Sequence, residues 1–455
     1  MKQLLNLKTI FSVLILFLIP YVAMASGGGE MPMVGGIRFE FILFALTLVG
    51  VALFHNHTMY VALIGLTSVI VLKAIYNSPI TAHDTDFDLI GHITGNEHHD
   101  GEWRTLVNLI GLLFGFGILA KHFEESGVPD ILPKYLPNDW KGGVVLLFII
   151  MIISSFLDNI AAAMIGGTIA LVVFKNRVHV GFVAAIVAAS NAGGAGSVVG
   201  DTTTTIMWIE GVSPIQVLPA FIASIVAFAF FGIVAAKQQH AFQPINADAK
   251  EGTKINGAKL LVVFMILVGA IATNYGMDFP AVGVWAAILI GALFTKTPWE
   301  EIGAAFTGTI FLTALVTTAS LMPVDELPAA SWQTALSLGF ISAVFDNIPL
   351  TKLCLEQNGY DWGVLAYAVG FGGSMIWFGS SACVAISGKF PEARSVVNYV
   401  KNGWHVTVAY VLGFFALYLT LGWNPTTIDK GDDKKEKKEK AEGEDAAEEG
   451  ETATE

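Results

Sequence analysis

The sequence is short of charge, of basic residues above all, and of cysteine. Only 14 % of its 455 residues are charged and 54 % are hydrophobic, too apolar for the two or three soluble domains such a length would otherwise suit, and this points to the bilayer. With 25 basic residues against 38 acidic, net −13, the chain has no surplus of cations for phosphate, which argues against a nucleic-acid partner. Cys354 and Cys383 both sit in apolar segments, form no disulfide framework and lack the spacing of a metal site. There is no His/Cys cluster, nucleophile elbow or phosphate-binding loop at workable spacing, so neither an enzyme nor a cofactor is expected.

What the chain has is long apolar runs. Lys2 and Lys8, the run Ile10 to Ile19, and Ala23-Met24-Ala25 before Ser26 have the layout of a secretory signal peptide over 1–25. A helix crosses the hydrocarbon layer with about 20 apolar residues. Spans are expected near 37–54, 58–76, 105–120, 179–210, 214–236, 258–274, 281–295, 303–320, 361–388 and 404–422. Two further runs, 142–174 and 333–359, carry Asp-Asn at their centres and read as re-entrant helical hairpins. The expected class is an all-α polytopic membrane protein, with about 10–11 transmembrane helices plus two re-entrant hairpins in an inverted-topology repeat.

Positive charge collects on the cytoplasmic side. Alternating sides from an external Ser26, with each hairpin returning to its own side, puts Lys121, Lys134, Lys141, Lys175, Arg177, Lys237, Lys250, Lys254, Lys259, Lys296, Lys389, Arg394 and Lys401 inside. A single crossing at 142–174 would move Lys175 and Arg177 outside and break the pattern. The division is then a signal peptide (1–25), N-terminal transmembrane helices (26–76), an external acidic and His-rich loop (77–104), a first transport repeat (105–236, hairpin 142–174), a cytoplasmic loop (237–257), a second transport repeat (258–422, hairpin 333–359) and a disordered charged tail (423–455). Residues 121–139 and 389–402 are expected as interfacial helices.

The repeat is visible in two motifs. Ser155-Phe156-Leu157-Asp158-Asn159-Ile160 is echoed by Ala343-Val344-Phe345-Asp346-Asn347-Ile348. Each is followed by a Gly- and hydroxyl-rich break in an apolar run, first Asn191-Ala192-Gly193-Gly194 continuing to Gly200-Asp201-Thr202-Thr203, then Gly370 to Gly373-Ser374 continuing to Gly379-Ser380-Ser381. Broken helices free backbone groups that hydrocarbon cannot satisfy, so they survive where they line a cavity or bind a ligand. Inverted repeats with broken helices mark secondary transporters with a midplane site. Buried Asp158, Asp201 and Asp346 are functional by default, and carboxylate with hydroxyl and carbonyl oxygens suits a hard cation or a proton. The plainer alternatives are a helix cap for each Asp-Asn, hydroxyls bonded back along the helix for Thr202 to Thr205, and ordinary packing for Gly111 and Gly115.

At these motifs the chain resembles the ion transporter superfamily, most closely the NhaD-type sodium/proton antiporters, with arsenite-efflux permeases and citrate or dicarboxylate carriers as relatives. The resemblance runs over about 37–422 and is strongest at 154–160, 191–208, 345–350 and 370–381. It departs where Ala161 follows the first Asp-Asn-Ile while the second keeps Pro349, and where 194–200 lacks the Trp-Ser-Pro-Ile run of the antiporters. It implies Asp158-Asn159 and Asp346-Asn347 at the hairpin tips, Asn191, Gly193, Gly194, Asp201, Thr202 and Thr203 in one unwound helix, and a homodimer. The candidate ion or substrate site adds Gly373, Ser374, Ser380 and Ser381, with Asp158, Asp201 and Asp346 as Na⁺ ligands.

The leading expectation is a secondary transporter of the bacterial inner membrane, exchanging Na⁺ or Li⁺ for H⁺ by alternating access. The alternative is a carrier of citrate or another small anion. Two hairpin aspartates would repel such an anion unless Lys352 neutralised one, and Lys352 reads instead as a lysine snorkelling to the external interface. A non-transporting sensor or scaffold gives no reason for two buried Asp-Asn breaks. The loop 77–104, with His83, His92, His98 and His99 among acids, reads as solvated. Residues 77–103 and 429–455 each carry −6, so the rest of the chain is near neutral.

Overall fold

The computed structural model describes residues 31–54, 57–80, 86–95, 101–245, 254–324 and 327–428. The expected signal peptide, the tail beyond 428, Lys250, His83, His98 and His99 lie outside them. The described chain is an all-α polytopic membrane protein. Six of its helices are long and apolar enough to cross a bilayer: Thr58–Tyr76, Trp103–Glu124, Pro214–Phe242, Gly257–Met277, Glu300–Ser320 and Trp404–Leu421. Their outward faces are apolar, as on Gly257–Met277, where Leu261, Phe264, Val268 and Ile271 are exposed, the face a helix presents to lipid.

Several expected spans are not single full-length helices. The run expected over 281–295 is a helix only over Pro280–Gly291, about 18 Å at 1.5 Å per residue, and it lies against Gly257–Met277, where Gly269 and Gly283 bring the two backbones together. The run over 179–210 is two helices, Val180–Ala195 and Thr202–Ile209. The run over 361–388 is Trp362–Gly372 and Ser381–Ser387. The reason is the same in both: glycines pack the backbone where a regular turn would need room for side chains, and a polar residue then caps a new helix.

Both Asp-Asn runs are helix, break, helix. Trp140–Ser154 is followed by Asn159–Val173, and Trp332–Ser342 by Asn347–Gln357. The second helix of each hairpin packs on the second half of the other repeat's broken helix, Asn159–Val173 on Ser381–Ser387 and Asn347–Gln357 on Thr202–Ile209. This interlocking brings both tips and both breaks to one level.

Around this core stand Phe39–Leu53, Thr58–Tyr76, Trp103–Glu124, Gly257–Met277, Pro280–Gly291 and Glu300–Ser320. Gly111 and Gly115 give a close approach to Pro280–Gly291: a Cβ at Gly111 would lie 2.7 Å from Ala281 Cβ, one at Gly115 would overlap Val284, and Trp285 Nε1 donates to Gly111 O at 3.0 Å. Near the start of Thr58–Tyr76's partner helix, the wholly buried pair Lys73 Nζ and Glu40 Oε1, 2.9 Å apart, is completed by Arg38 on Glu40 Oε2. The segment 121–139 continues one long helix to Glu124 before the short helix Val128–Ile131 and a 3₁₀ turn at Leu132–Tyr135, and 389–402 contains the short helix Val396–Asn402.

Two expectations are corrected. The loop 77–104 is not simply solvated: Leu89–Thr94 is a helix capped by Asp88, and His92 is buried with Nε2 3.1 Å from Ser320 Oγ. Lys352 does not snorkel. Its side chain is fully buried within reach of Glu102, Glu210 and Glu356, because three carboxylates from separate segments meet it before it could reach an interface.

Candidate functional site

The site is built twice on one backbone plan. In the first repeat, Asp158 caps Asn159–Val173 by accepting from Ile160 N at 3.1 Å, and its other oxygen accepts from Thr202 Oγ1 at 3.3 Å. In the second, Asp346 accepts from Ile348 N at 3.1 Å and from Ser381 Oγ at 3.2 Å. The hairpins are tied to the broken helices by matching serines: Ser154 Oγ donates to Ser190 O at 2.6 Å, and Ser342 Oγ to Val369 O at 2.7 Å. The cap reading of both Asp-Asn pairs is therefore right for one carboxylate oxygen each, while the second oxygen accepts from a hydroxyl on the broken helix of the same repeat.

The glycines work by being small. A Cβ at Gly193 would collide with Met151 O, and one at Gly372 with Gly339 O. Cβ atoms at Gly194 and Gly373 would meet Gly200 O at 2.5 Å and Gly379 O at 2.8 Å. Gly193 and Gly372 let the hairpin and the break touch through backbone, and Gly194 and Gly373 let the two ends of each break do so. Asp201 then caps Thr202–Ile209 through Thr203 N at 3.2 Å, and Ser380 caps Ser381–Ser387 through Cys383 N at 3.4 Å.

Side chains join the halves. Asn159 Nδ2 donates to Asn191 Oδ1 at 3.0 Å and to Asp201 Oδ1 at 3.1 Å, while Asn191 Nδ2 donates to Ser374 Oγ at 2.9 Å and reaches Ser380 Oγ at 3.5 Å. Thr204 and Thr205 do bond back, to Asp201 O at 2.9 Å each. Thr203 Oγ1, Asp201 Oδ2 and Asn347 Nδ2 are buried without a hydrogen-bond partner. The first two lie beside Gly370, whose Cβ would stand 3.0 Å from Asp201 Oδ2 and 3.7 Å from Thr203 Oγ1. None of the ion pairs among the described residues reaches Asp158, Asp201 or Asp346.

A cavity of about 220 Å³ opens onto Asp346 and Ser381. Its other walls include Leu48, Thr58, Phe311 and Phe378. Of these residues sequence reading had picked out only Asp346 and Ser381. Nothing in the motifs signals that the first two helices wall the approach, since they carry no repeat and no polar break. The motifs give no sign of the hairpin-stem serines either, although Ser154 and Ser342 stand one residue ahead of each echoed motif.

Buried carboxylates without cationic partners, set among hydroxyls and broken helices in an all-helical polytopic fold, define the membrane-transporter class. No family model matches the chain. It is 25% identical over 378 residues to "Sodium/proton antiporter 1" of Arabidopsis thaliana, covering 71% of this chain and 62% of that protein. It is 26% identical over 425 residues to an uncharacterized transporter of Mycobacterium tuberculosis, covering 80% and 94%. It is 24% identical over 392 residues to "Na(+)/H(+) antiporter NhaD" of Vibrio cholerae, covering 71% and 80%. These likenesses support a multi-pass membrane transporter that resembles the NhaD-type branch of the ion transporter superfamily.

Proposed function

We propose that the protein exchanges Na⁺ or Li⁺ for H⁺ at the level where the two hairpin tips and the two breaks meet, with Asp158, Asp201 and Asp346 as the charged ligands. The observation that carries this reading is the orphaned Asp201 Oδ2 beside the orphaned Thr203 Oγ1. A buried carboxylate with no cationic partner is costly unless it takes a proton or a cation, and one group that takes either in turn is the requirement for exchange. Asp158 and Asp346, each capped on one oxygen and met by a hydroxyl on the other, add hard oxygen ligands from both halves. The names of the Arabidopsis and Vibrio relatives agree with this reading.

The anion reading is weaker than the sequence made it, because Lys352 is engaged by three glutamates and brings no charge to Asp346. In the topology set by the basic residues the protein works in the bacterial inner membrane, and the cavity at Asp346 is the cytoplasmic entrance. The outer helices would carry the homodimer that the resemblance implies. Everted vesicles with a pH dye, challenged in turn with Na⁺, Li⁺, K⁺ and citrate, test the proposal. Proton movement on adding Na⁺ or Li⁺ is expected; citrate uptake with no Na⁺-driven proton movement would overturn it.

A further inference from the structure

The second hairpin turns at Asp346, so Lys352 and Glu356 on Asn347–Gln357 lie toward its open side. Trp362–Gly372 starts from that same side, after a short link, and Ser381–Ser387 continues past the break to the opposite side. The cavity at Asp346 is lined by Val384 and Ala385 of that half-helix, so cavity and Lys352 lie on opposite sides of the tip. On the Lys352 side there is an ion-pair knot. Lys352 Nζ is 2.9 Å from Glu102 Oε2, 2.6 Å from Glu210 Oε1 and 2.6 Å from Glu356 Oε1. Glu356 shares the lysine's helix, Glu210 ends Thr202–Ile209 of the other repeat, and Glu102 precedes Trp103–Glu124, one of the surrounding helices. The knot therefore fastens three parts of the fold at the end away from the cavity at Asp346.

From this we infer that Lys352 with Glu102, Glu210 and Glu356 is a latch that closes the hairpin's open side while the cavity side is accessible, and that the Glu102 arm must part for Asp346 to face the other way. The inference rests on the transport reading of Asp346. An ion pair suits a latch because it is strong when assembled and dry, and its ions are readily rehydrated when the parts separate. Loss of Lys352 leaves three buried carboxylates without their cation, and loss of the Glu102 carboxylate unties the surrounding helix from the hairpin; either favours the separated, hydrated arrangement. Lys352 is in this sense a positioning residue and touches no transported ion.

The test uses the full-length chain in vesicles of known orientation, with Cys354 and Cys383 replaced by alanine and one reporter cysteine at a time. Leu355→Cys, wholly buried beside the knot, reports access from the hairpin's open side to an impermeant thiol reagent; Val384→Cys reports access to the cavity. In the otherwise unchanged chain the first should react slowly. Glu102→Gln should speed it by about ten-fold, a modest population shift, and slow the second reporter; Lys352→Met should do the same and Lys352→Arg should keep the original rates. Unchanged rates in Glu102→Gln and Lys352→Met overturn the latch, as does acceleration of both reporters together, which marks general loosening. Labelling is read without Na⁺. A reciprocal shift in a protein that shows no exchange therefore keeps the latch and sinks the antiport reading, and exchange with no shift does the reverse.

Discussion

The first and second half-sites share a backbone and differ in what fills it. Asp158 and Asp346, Ser154 and Ser342, Gly194 and Gly373 make equivalent contacts. Yet where the first repeat has Asn191 the second has Gly370, and where the first caps its half-helix with Asp201 the second uses Ser380. The bulk and charge missing from the second half are supplied by the first: Asn191 reaches across to Ser374, and Asp201 Oδ2 occupies the space beside Gly370. The repeat thus maintains two matching frames around a single asymmetric centre. Under the proposed exchange, that points to Asp201, whose place in the second repeat is taken by Ser380, as the proton-carrying group rather than to the paired aspartates.

The largest effect expected is from charge removal. Asp201→Asn, Asp158→Asn and Asp346→Asn should each lower Na⁺-driven proton exchange by about a hundred-fold or more, of the order of losing one member of a buried charged set, while the protein still inserts and purifies. If the centre is asymmetric as described, Ser380→Asp will not rescue Asp201→Asn. Full exchange in all three Asn variants would remove the site.

Next come the glycines that make the frame. Gly193→Ala and Gly372→Ala are equivalent collisions with backbone carbonyls, and each should cost about 1–3 kcal/mol, the range for overpacking, seen as a lower unfolding temperature in detergent. Gly370→Ala should behave differently. Its Cβ would meet side chains and no backbone carbonyl among its nearest neighbours, Asp201 Oδ2 at 3.0 Å, Thr203 Oγ1 at 3.7 Å and Ala195 Cβ at 3.9 Å, so stability should fall less than in the other two while exchange falls more. Equal behaviour of Gly370 and Gly372 would mean the centre has no room reserved beside Asp201.

These comparisons rest on what the sequence could and could not carry. Both hairpins, both breaks and the three central aspartates were legible because polar residues and glycines interrupt apolar runs, and hydrocarbon permits that in few places. The functions of the glycines were less legible, since Gly193, Gly194 and Gly373 act by close packing and contribute no ligand oxygen that a motif would reveal. Contacts between distant segments were not legible at all. Glu102, Glu210 and Lys352 meet only after folding, and Lys352 alone reads as a lysine at the interface; His92 and Ser320 likewise meet only in the fold. Asn191 spanning to Ser374 and Ser380 was missed for the same reason, although all three residues had been singled out.

A smaller effect separates the two tip asparagines. Asn159 Nδ2 has two acceptors, Asn191 Oδ1 and Asp201 Oδ1, whereas Asn347 Nδ2 is buried with none. Asn159→Ala should therefore destabilise by about 1–2 kcal/mol more than Asn347→Ala, the net value of one or two lost hydrogen bonds, in matched thermal unfolding. If Na⁺ or Li⁺ binding recruits the second tip, the ion should protect the wild-type chain against unfolding more than it protects Asn347→Ala.

The least effect is expected at Glu125, away from both the centre and the Lys352 knot, where charge should matter little. Glu125 follows Trp103–Glu124 and pairs with Lys259 near the start of Gly257–Met277. The hydrogen bond from the Lys259 ammonium, with its charge, holds the Glu125 carboxyl below the usual carboxylate range. A depressed folded-state value gives stability that is present above the unfolded pKa and is lost as pH falls through the folded one, so the pair should weaken only under acid. Because Glu125 is partly exposed, its pairing is screened by solvent, and Glu125→Gln should cost less than about 1 kcal/mol and leave exchange unaltered. Added salt should shrink even that difference. A large loss of exchange in Glu125→Gln would show that the surrounding helices take part in the cycle through this pair as well, and that the contrast between the charged centre and this exposed pair is too sharp.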